Sequence, residues 1–294
     1  ASVHEAYQVI DNLMQTCSKP IFPIFPSVVN VKEEINQFIH KGNIAFSDEY
    51  IFSKSLAKVM EHASYQIRSL PNIRANNKIR SLIKDFSSGF LGPEQAYALM
   101  EAVGIKMARQ IIVQSETELL NASKILHFPL VQKIIGPLHK TDKEGVIVNV
   151  LSDEELVKNY RDLMQIDGAS GVLIQEMIKG KEVFIGAKRE TAFPPLIMCG
   201  AGGIYIEALK DVQSILAPIH RTEAVSMINK LRIKPILQGM RGESSCNLEA
   251  FYTTLEKVSS LMILAPEITE LDLNPLILTE QDIFAVDARI KIEK

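Results

Sequence analysis

The sequence lacks a surplus of positive charge, a long apolar run, a set of paired cysteines and any internal repeat, and each shortage removes a class of function. Thirty-two Lys and Arg stand against 35 Asp and Glu, for a formal net charge of -3. There is thus no general basic face for nucleic acid. The apolar stretch 194–209 is broken by Gly200, Gly202 and Gly203 and falls short of the roughly 20 residues that cross a bilayer as a helix, so no membrane partner is expected. The N-terminus has no basic region followed by an apolar stretch, hence no export signal. It begins with Ala rather than Met, as a processed or excised chain would. Cys17, Cys199 and Cys246 are odd in number and far apart. They fit neither a disulfide framework nor a zinc site and point to a reducing, cytoplasmic compartment. What is present is ordinary globular composition, 47% hydrophobic and 23% charged over 294 residues, enough chain for two domains.

Residues 1–70 alternate helix and strand. Helical spacing predicts helices at 4–17, 31–40 and 51–63, with short strands at 20–25 and 44–46. Two helix–strand units imply part of a parallel, layered sheet, too few strands to close a core, so the stretch reads as the end of a larger domain. No glycine-rich dinucleotide turn occurs in it. Residues 71–89, mostly polar from Pro71 to Ser87-Ser88-Gly89, read as a linker. Pro93 and Glu94 then open a helix that stops at Gly104, and residues 90–294 continue as alternating helices and strands.

Three stretches carry chemistry. The first is Lys133 to Gly145, where an apolar strand (130–135) is broken by Gly136-Pro137 and followed by His139-Lys140-Thr141-Asp142. A second apolar run, 146–150, returns as its partner. A histidine between lysine and aspartate at a hairpin tip has the means for phosphate chemistry: lysine attracts anions, neutral imidazole is a nucleophile, and a carboxylate orients it. Taken alone, the stretch reads first as a solvated polar turn. The second is Gly200-Ala201-Gly202-Gly203, whose glycines let the backbone approach a ligand and offer N–H groups to an anion, though glycines also make plain bends. The third is Glu270 to Leu278. Asp272 and Asn274 share one strand face there, and the returning run 284–290 brings Asp287 opposite Asn274. Oxygen ligands from two neighbouring strands suit Mg²⁺, which takes its remaining ligands from water and phosphate; the alternative is an exposed polar face of an edge hairpin. His127, in an apolar setting, reads as structural, and His4, His40, His62 and His220 receive no role.

The order of pieces from about Gly92 to Ile290 resembles the ATP-grasp part of ADP-forming acyl-CoA synthetases (acetate–CoA ligases), relatives of the succinyl-CoA synthetase β subunit. The resemblance rests on 129–133 (Pro-Leu-Val-Gln-Lys), 139–142, Gln175-Glu176-Met177 with Glu182-Val183, 200–204, and 209–212 with Ala217-Pro218. It continues in Gly239-Met240-Arg241-Gly242, 270–275 and 285–289 (Ala-Val-Asp-Ala-Arg). It implies a two-lobed α/β ATP-grasp fold over 90–294, preceded over 1–70 by the C-terminal part of a flavodoxin-like CoA-ligase domain. It also implies a reaction, acyl-CoA with ADP and phosphate giving acid, CoA and ATP, with ATP/ADP and Mg²⁺ bound. By the same resemblance His139 is the phosphohistidine on a mobile loop and Asp272 the acid beside it. Lys133 holds nucleotide phosphates, Glu176 lies at the adenine hinge and Glu182 at the ribose. Asn274 and Asp287 ligate Mg²⁺, and Gly202, Gly203 and Arg241 lie on the phosphate side. The CoA-binding and ligase (α-subunit-like) domains would be partners absent from this chain; oligomer formation is left open.

Two departures stand out. After Asp142 the sequence reads Lys143-Glu144-Gly145, with a glutamate where the family usually has glycine, and Phe193-Pro194-Pro195 replaces the usual Phe-Gly-Pro. The first keeps open an alternative, a non-catalytic regulatory ATP-grasp module such as that of a fused protein lysine acetyltransferase.

Overall fold

The computed structural model describes residues 3–25, 31–63, 77–136, 145–190, 193–203, 211–240 and 242–294. The chain divides into two compact units, Ala1–Ser69 and Leu70–Lys294. Among the described residues no helix is long and apolar enough to cross a membrane.

The first unit holds α1 (Val3–Thr16), α2 (Lys32–His40) and α3 (Glu49–Ala63), close to their expected bounds. The expected strands reduce to one parallel bridge, Ile24 to Phe46. Pro20 and Pro23 explain the shrinkage, because neither has an N–H to extend a ladder. The bridge is held by Phe25 N–H to Phe46 O (2.8 Å) and Phe46 N–H to Pro23 O (3.0 Å). Phe25, Ile35 and Phe38 form a small buried cluster against Tyr7 and Ile10. Asp11 accepts hydrogen bonds from Asn43 (2.8 Å) and Lys41 (3.2 Å), and these hold its carboxyl below the usual aspartate range.

The second unit begins with a correction. Within the stretch expected to be a linker, Asn77–Asp85 is a helix, α4, and Ile79 and Ile83 are buried in the unit's main core. Ile79, Leu82 and Ile83 repeat at three and four residues, so a mostly polar segment still has one apolar face; 71–76 lie outside the described residues. Gly89–Phe90 (β1) then pairs with Arg289–Ile292 (β11). α5 (Pro93–Val103) ends on Gly104 in the left-handed conformation, the expected glycine stop.

The smaller layer comprises β2 (Gln110–Val113), α6 (Glu116–Ser123), β3 (Leu130–Ile135), β4 (Val146–Val150), α7 (Asp153–Met164) and β5 (Gly171–Glu176). Its antiparallel sheet runs β2-β5-β3-β4. Ser115 and Ser152 cap α6 and α7 through their hydroxyls. Glu118 and Glu155 reach back to the backbone N–H groups of Gln114 and Leu151, variants of the reciprocal cap in which the glutamate bonds one residue before the cap. Leu119, Leu156 and Leu163 bury the helices against Val172 and Ile174.

The larger layer adds β6 (Lys181–Glu190), β7 (Phe193–Ala201), β8 (Val212–Leu216), α8 (Arg221–Asn229), α9 (Lys234–Leu237), α10 (Leu248–Leu264), β9 (Ile268–Leu278) and β10 (Ile283–Ala285). Its sheet is ordered β1-β11-β9-β6-β7-β8, with β10 also on β9. Phe251, Leu255, Val258 and Met262 of α10 are buried in its core. Asp211, buried at the start of β8, accepts from the backbone N–H groups of Arg232 and Ile233, each at 2.9 Å. The expected single return strand 284–290 is two, β10 and β11, interrupted at 286–288.

Candidate functional site

Both sheets contribute residues to one cavity of about 350 Å³, lined by Lys133, Glu176, Glu182 and Asp287 among apolar residues that include Val131 and Ile277. Lys133 lies mid-strand on β3, paired with Val146 on one side and Leu173 on the other. Its Nζ donates to the carbonyl of Val286 at 2.5 Å, so the lysine of the small sheet reaches the segment that carries Asp287. The interruption of the return strand has a use here, since it leaves the Val286 carbonyl available to accept.

Glu176 ends β5. Its Oε1 accepts from the backbone N–H of His127 (3.1 Å), lies 2.9 Å from His127 Nδ1, and accepts from Arg109 Nη1 at 3.3 Å. Neither His127 nor Arg109 was singled out from sequence as part of a site. His127 is not in an apolar pocket as expected: its side chain is 81% exposed. The signal was out of reach because its partner lies 49 residues away on another strand.

Glu182 opens β6, and the glycine run explains how it sits. Gly202 N–H donates to the Glu182 carbonyl at 2.9 Å. A Cβ on Gly203, whose φ is +57°, would fall 1.8 Å from Glu182 Oε2. These glycines therefore give close approach to a strand and its carboxylate, and the Gly202 N–H is committed inside the protein rather than offered to an anion.

Across β9, the pairs Ala285–Leu276 and Arg289–Asp272 place Asp287 opposite Asn274, as expected. Asp287 lines the cavity; Asp272 lies one step further along β9, away from it. Asp272 keeps solvent access, yet burial by surrounding protein and the Asp287 carboxylate raise its pKa above the ordinary aspartate value, opposed by Arg289. Among the described residues no group of three or more His, Cys, Asp or Glu is placed to hold a metal ion. The pair expected to hold Mg²⁺ is Asn274 and Asp287, of which Asp287 lines the cavity. That is sparse and oxygen-only, and it fits an ion that takes most of its ligands from phosphate and water. His139 and Arg241 lie outside the described residues, as does the rest of 137–144; Gly145, which follows that segment, lines the cavity.

The ATP-grasp domain family matches residues 84–292. The chain is 37% identical over 206 residues to subunit beta of acetate–CoA ligase (ADP-forming) I from Pyrococcus furiosus, covering 67% of this chain and 89% of that one. It is 35% identical over 231 residues to acetate–CoA ligase (ADP-forming) I from Archaeoglobus fulgidus, covering 76% of this chain but only 33% of that longer protein. Among solved structures, the dinucleotide-forming acetyl-coenzyme A synthetase 1 of Candidatus Korarchaeum cryptofilum with coenzyme A and Ca-AMPCP superposes with a TM-score of 0.67 at 32% identity, over 74% of this chain and 99% of that one. The same protein has been solved with coenzyme A and Mg-AMPPCP, its phosphohistidine segment pointing towards the nucleotide binding site (TM-score 0.63, 31% identity, 75% and 100% coverage).

Proposed function

The chain belongs to the ATP-grasp domain family, and on that premise we propose that it is the nucleotide-binding, phosphoryl-transferring part of an NDP-forming acyl-CoA synthetase. The observation that carries this reading is the convergence of Lys133, Glu176, Glu182 and Asp287 from two sheets on one cavity. A nucleotide needs those chemistries together: apolar walls and an acceptor for the base, a carboxylate for the ribose, a cation and metal ligands for the phosphates.

In this reading ADP sits between the sheets. Lys133 neutralises phosphate charge, and Glu182, seated where Gly203 has no side chain, accepts from ribose hydroxyls. Asn274 and Asp287 hold Mg²⁺, which when bound screens the charge that keeps phosphates apart. His139 carries the phosphoryl group. A terminal oxygen of ADP attacks the phosphorus, the P–N bond to the imidazole breaks as the P–O bond forms, and the ring leaves with its electron pair. Asp272, of raised pKa and outside the nucleotide cavity, orients the histidine. Acid and CoA are handled by CoA-binding and ligase domains on a partner or elsewhere in a longer chain.

The test is incubation with γ-labelled ATP and Mg²⁺, run on the wild-type chain and on His139→Ala. The expected result is an acid-labile, base-stable protein label, absent from the variant. Nucleotide binding without any label would favour the regulatory alternative over the enzyme, and no binding at all would remove the nucleotide site.

A further inference from the structure

We infer that Asn149, held in the left-handed conformation, is a positioning residue for the nucleotide: it bends β4 so that Val146 and Val148 stand along the cavity as an apolar rail for the base. This rests on the nucleotide reading above. It assigns to that site a residue that does not itself line the cavity and belongs to no motif.

β4 is the edge strand of the smaller sheet, and its pairing with β3 is irregular. Lys133 faces Val146 and Gln132 faces Ile147, but Leu130 faces Val150. Two residues, Val148 and Asn149, are therefore set against the single residue Val131, which makes a β-bulge. Asn149 has a φ of +60°, the one positive value outside glycine among the described residues. That region is disfavoured for residues with a Cβ, and asparagine tolerates it better than most.

The bulge sorts the side chains of the strand. Regular alternation would put residues 146, 148 and 150 on one face. Instead Val146 and Val148 line the cavity with Val131 and Lys133, while Ile147 and Val150 pack in the cluster under α6 and α7. Both ends of β4 are fixed. Ile134 N–H donates to the Gly145 carbonyl at 2.9 Å, and Val150 is buried in the cluster. Between these anchors Val148 is 59% exposed, so its apolar surface is open to be covered by a ligand. A bulge bends its strand and sharpens the local twist, and backbone strain kept at one residue beside a cavity fits a role there. Blunting the open edge of the sheet would be served by a bulge anywhere on β4. This one stands opposite Val131, a residue of the cavity wall.

The experiment is calorimetric binding of ADP and of inorganic tripolyphosphate, each with Mg²⁺, to the full 294-residue chain. Asn149→Val puts a β-branched residue where φ is +60°, so β4 is expected to straighten and Val148 to move. ADP binding should then weaken about tenfold, the scale of one apolar side chain lost from a contact, with tripolyphosphate affinity unchanged. Asn149→Gly, which adopts positive φ freely, should stay within about twofold of wild type. Val148→Thr is isosteric and sits at an exposed position, so it tests the rail without altering the bulge. It should weaken ADP about threefold or more and leave tripolyphosphate alone. Circular dichroism checks that each variant folds. Undiminished ADP affinity in Asn149→Val or in Val148→Thr, or an equal loss of tripolyphosphate, overturns the inference and leaves the nucleotide site standing. Failure of the wild-type chain to bind ADP overturns the site itself and the inference with it.

Discussion

Cys17 and Cys199 carry the same thiol in opposite surroundings. Cys17 is exposed and Cys199 is buried in the strand before the glycine run. Burial, and after it the Asp211 carboxylate, pushes the Cys199 thiol up to about 12. The thiolate is the reactive form, so near pH 8.5 Cys199 stays protonated as well as covered. Cys246 is intermediate in exposure, its pKa raised chiefly by burial. Native protein treated with iodoacetamide at that pH should therefore label at Cys17 first, Cys246 more slowly, and Cys199 only in denaturant, as peptide mapping reads out. Labelling of Cys199 at a rate like that of Cys17 would contradict the packing described here. Side-chain identity made some sites legible and left others hidden. Lys133, Glu176 and Glu182 sit on strands and Asp287 in the break between β10 and β11, and all four stood out in the sequence because their order along the chain matches a family. The bond from Glu176 to His127 was not readable, because the apolar neighbours Leu126, Phe128 and Pro129 describe a sequence setting, and the histidine turns out of it toward a carboxylate on another strand.

Elements were legible where cap, period and stop agreed. α7 runs over Asp153–Met164 behind the Ser152 cap, with Leu156, Tyr160 and Leu163 buried, and β3 and β4 kept their expected bounds. α4 was missed because three apolar positions among Asn, Lys, Arg and Ser do not outweigh polarity in a local reading; the face becomes meaningful only once there is a core to cover. Ile83 is fully buried within that core, so α4 should be part of the cooperative unit. Ile83→Ala should lower unfolding free energy by about 2–5 kcal/mol through lost burial and a residual cavity, measured by urea denaturation at constant m-value. A change within about 0.5 kcal/mol, the range of ordinary surface substitutions, would return the segment to the status of a linker. The split of the return strand into β10 and β11 escaped for a different reason. No Pro or Gly marks a break in 284–290, and the interruption at 286–288 lies where the Val286 carbonyl meets Lys133.

At the scale of the whole molecule, the residues described around the cavity all fall in the second unit, and so do the elements that hold them: β3 and β5 from one sheet, β6 and β9 from the other. The two units differ in what stabilises them. The second has one large core that spans its helices and main sheet, with a second cluster under α6 and α7. Among the described residues the first has three buried hydrophobic residues, Phe25, Ile35 and Phe38, while Val9, Leu13, Ile39, Ile44, Ile51 and Val59 are exposed. A unit of 69 residues is already near the size where a single core is marginal, and this one leaves several large apolar side chains exposed. Residues 70–294 produced alone should therefore fold cooperatively and bind Mg²⁺-nucleotide within about threefold of the full chain, a difference of about 0.7 kcal/mol. Residues 1–69 alone should show weak thermal cooperativity. Calorimetric titration and thermal unfolding of the two fragments decide it. Loss of nucleotide binding from a well-folded 70–294 fragment would mean that the first unit contributes to the site, and the assignment of the cavity to the two sheets of the second unit would have to be given up.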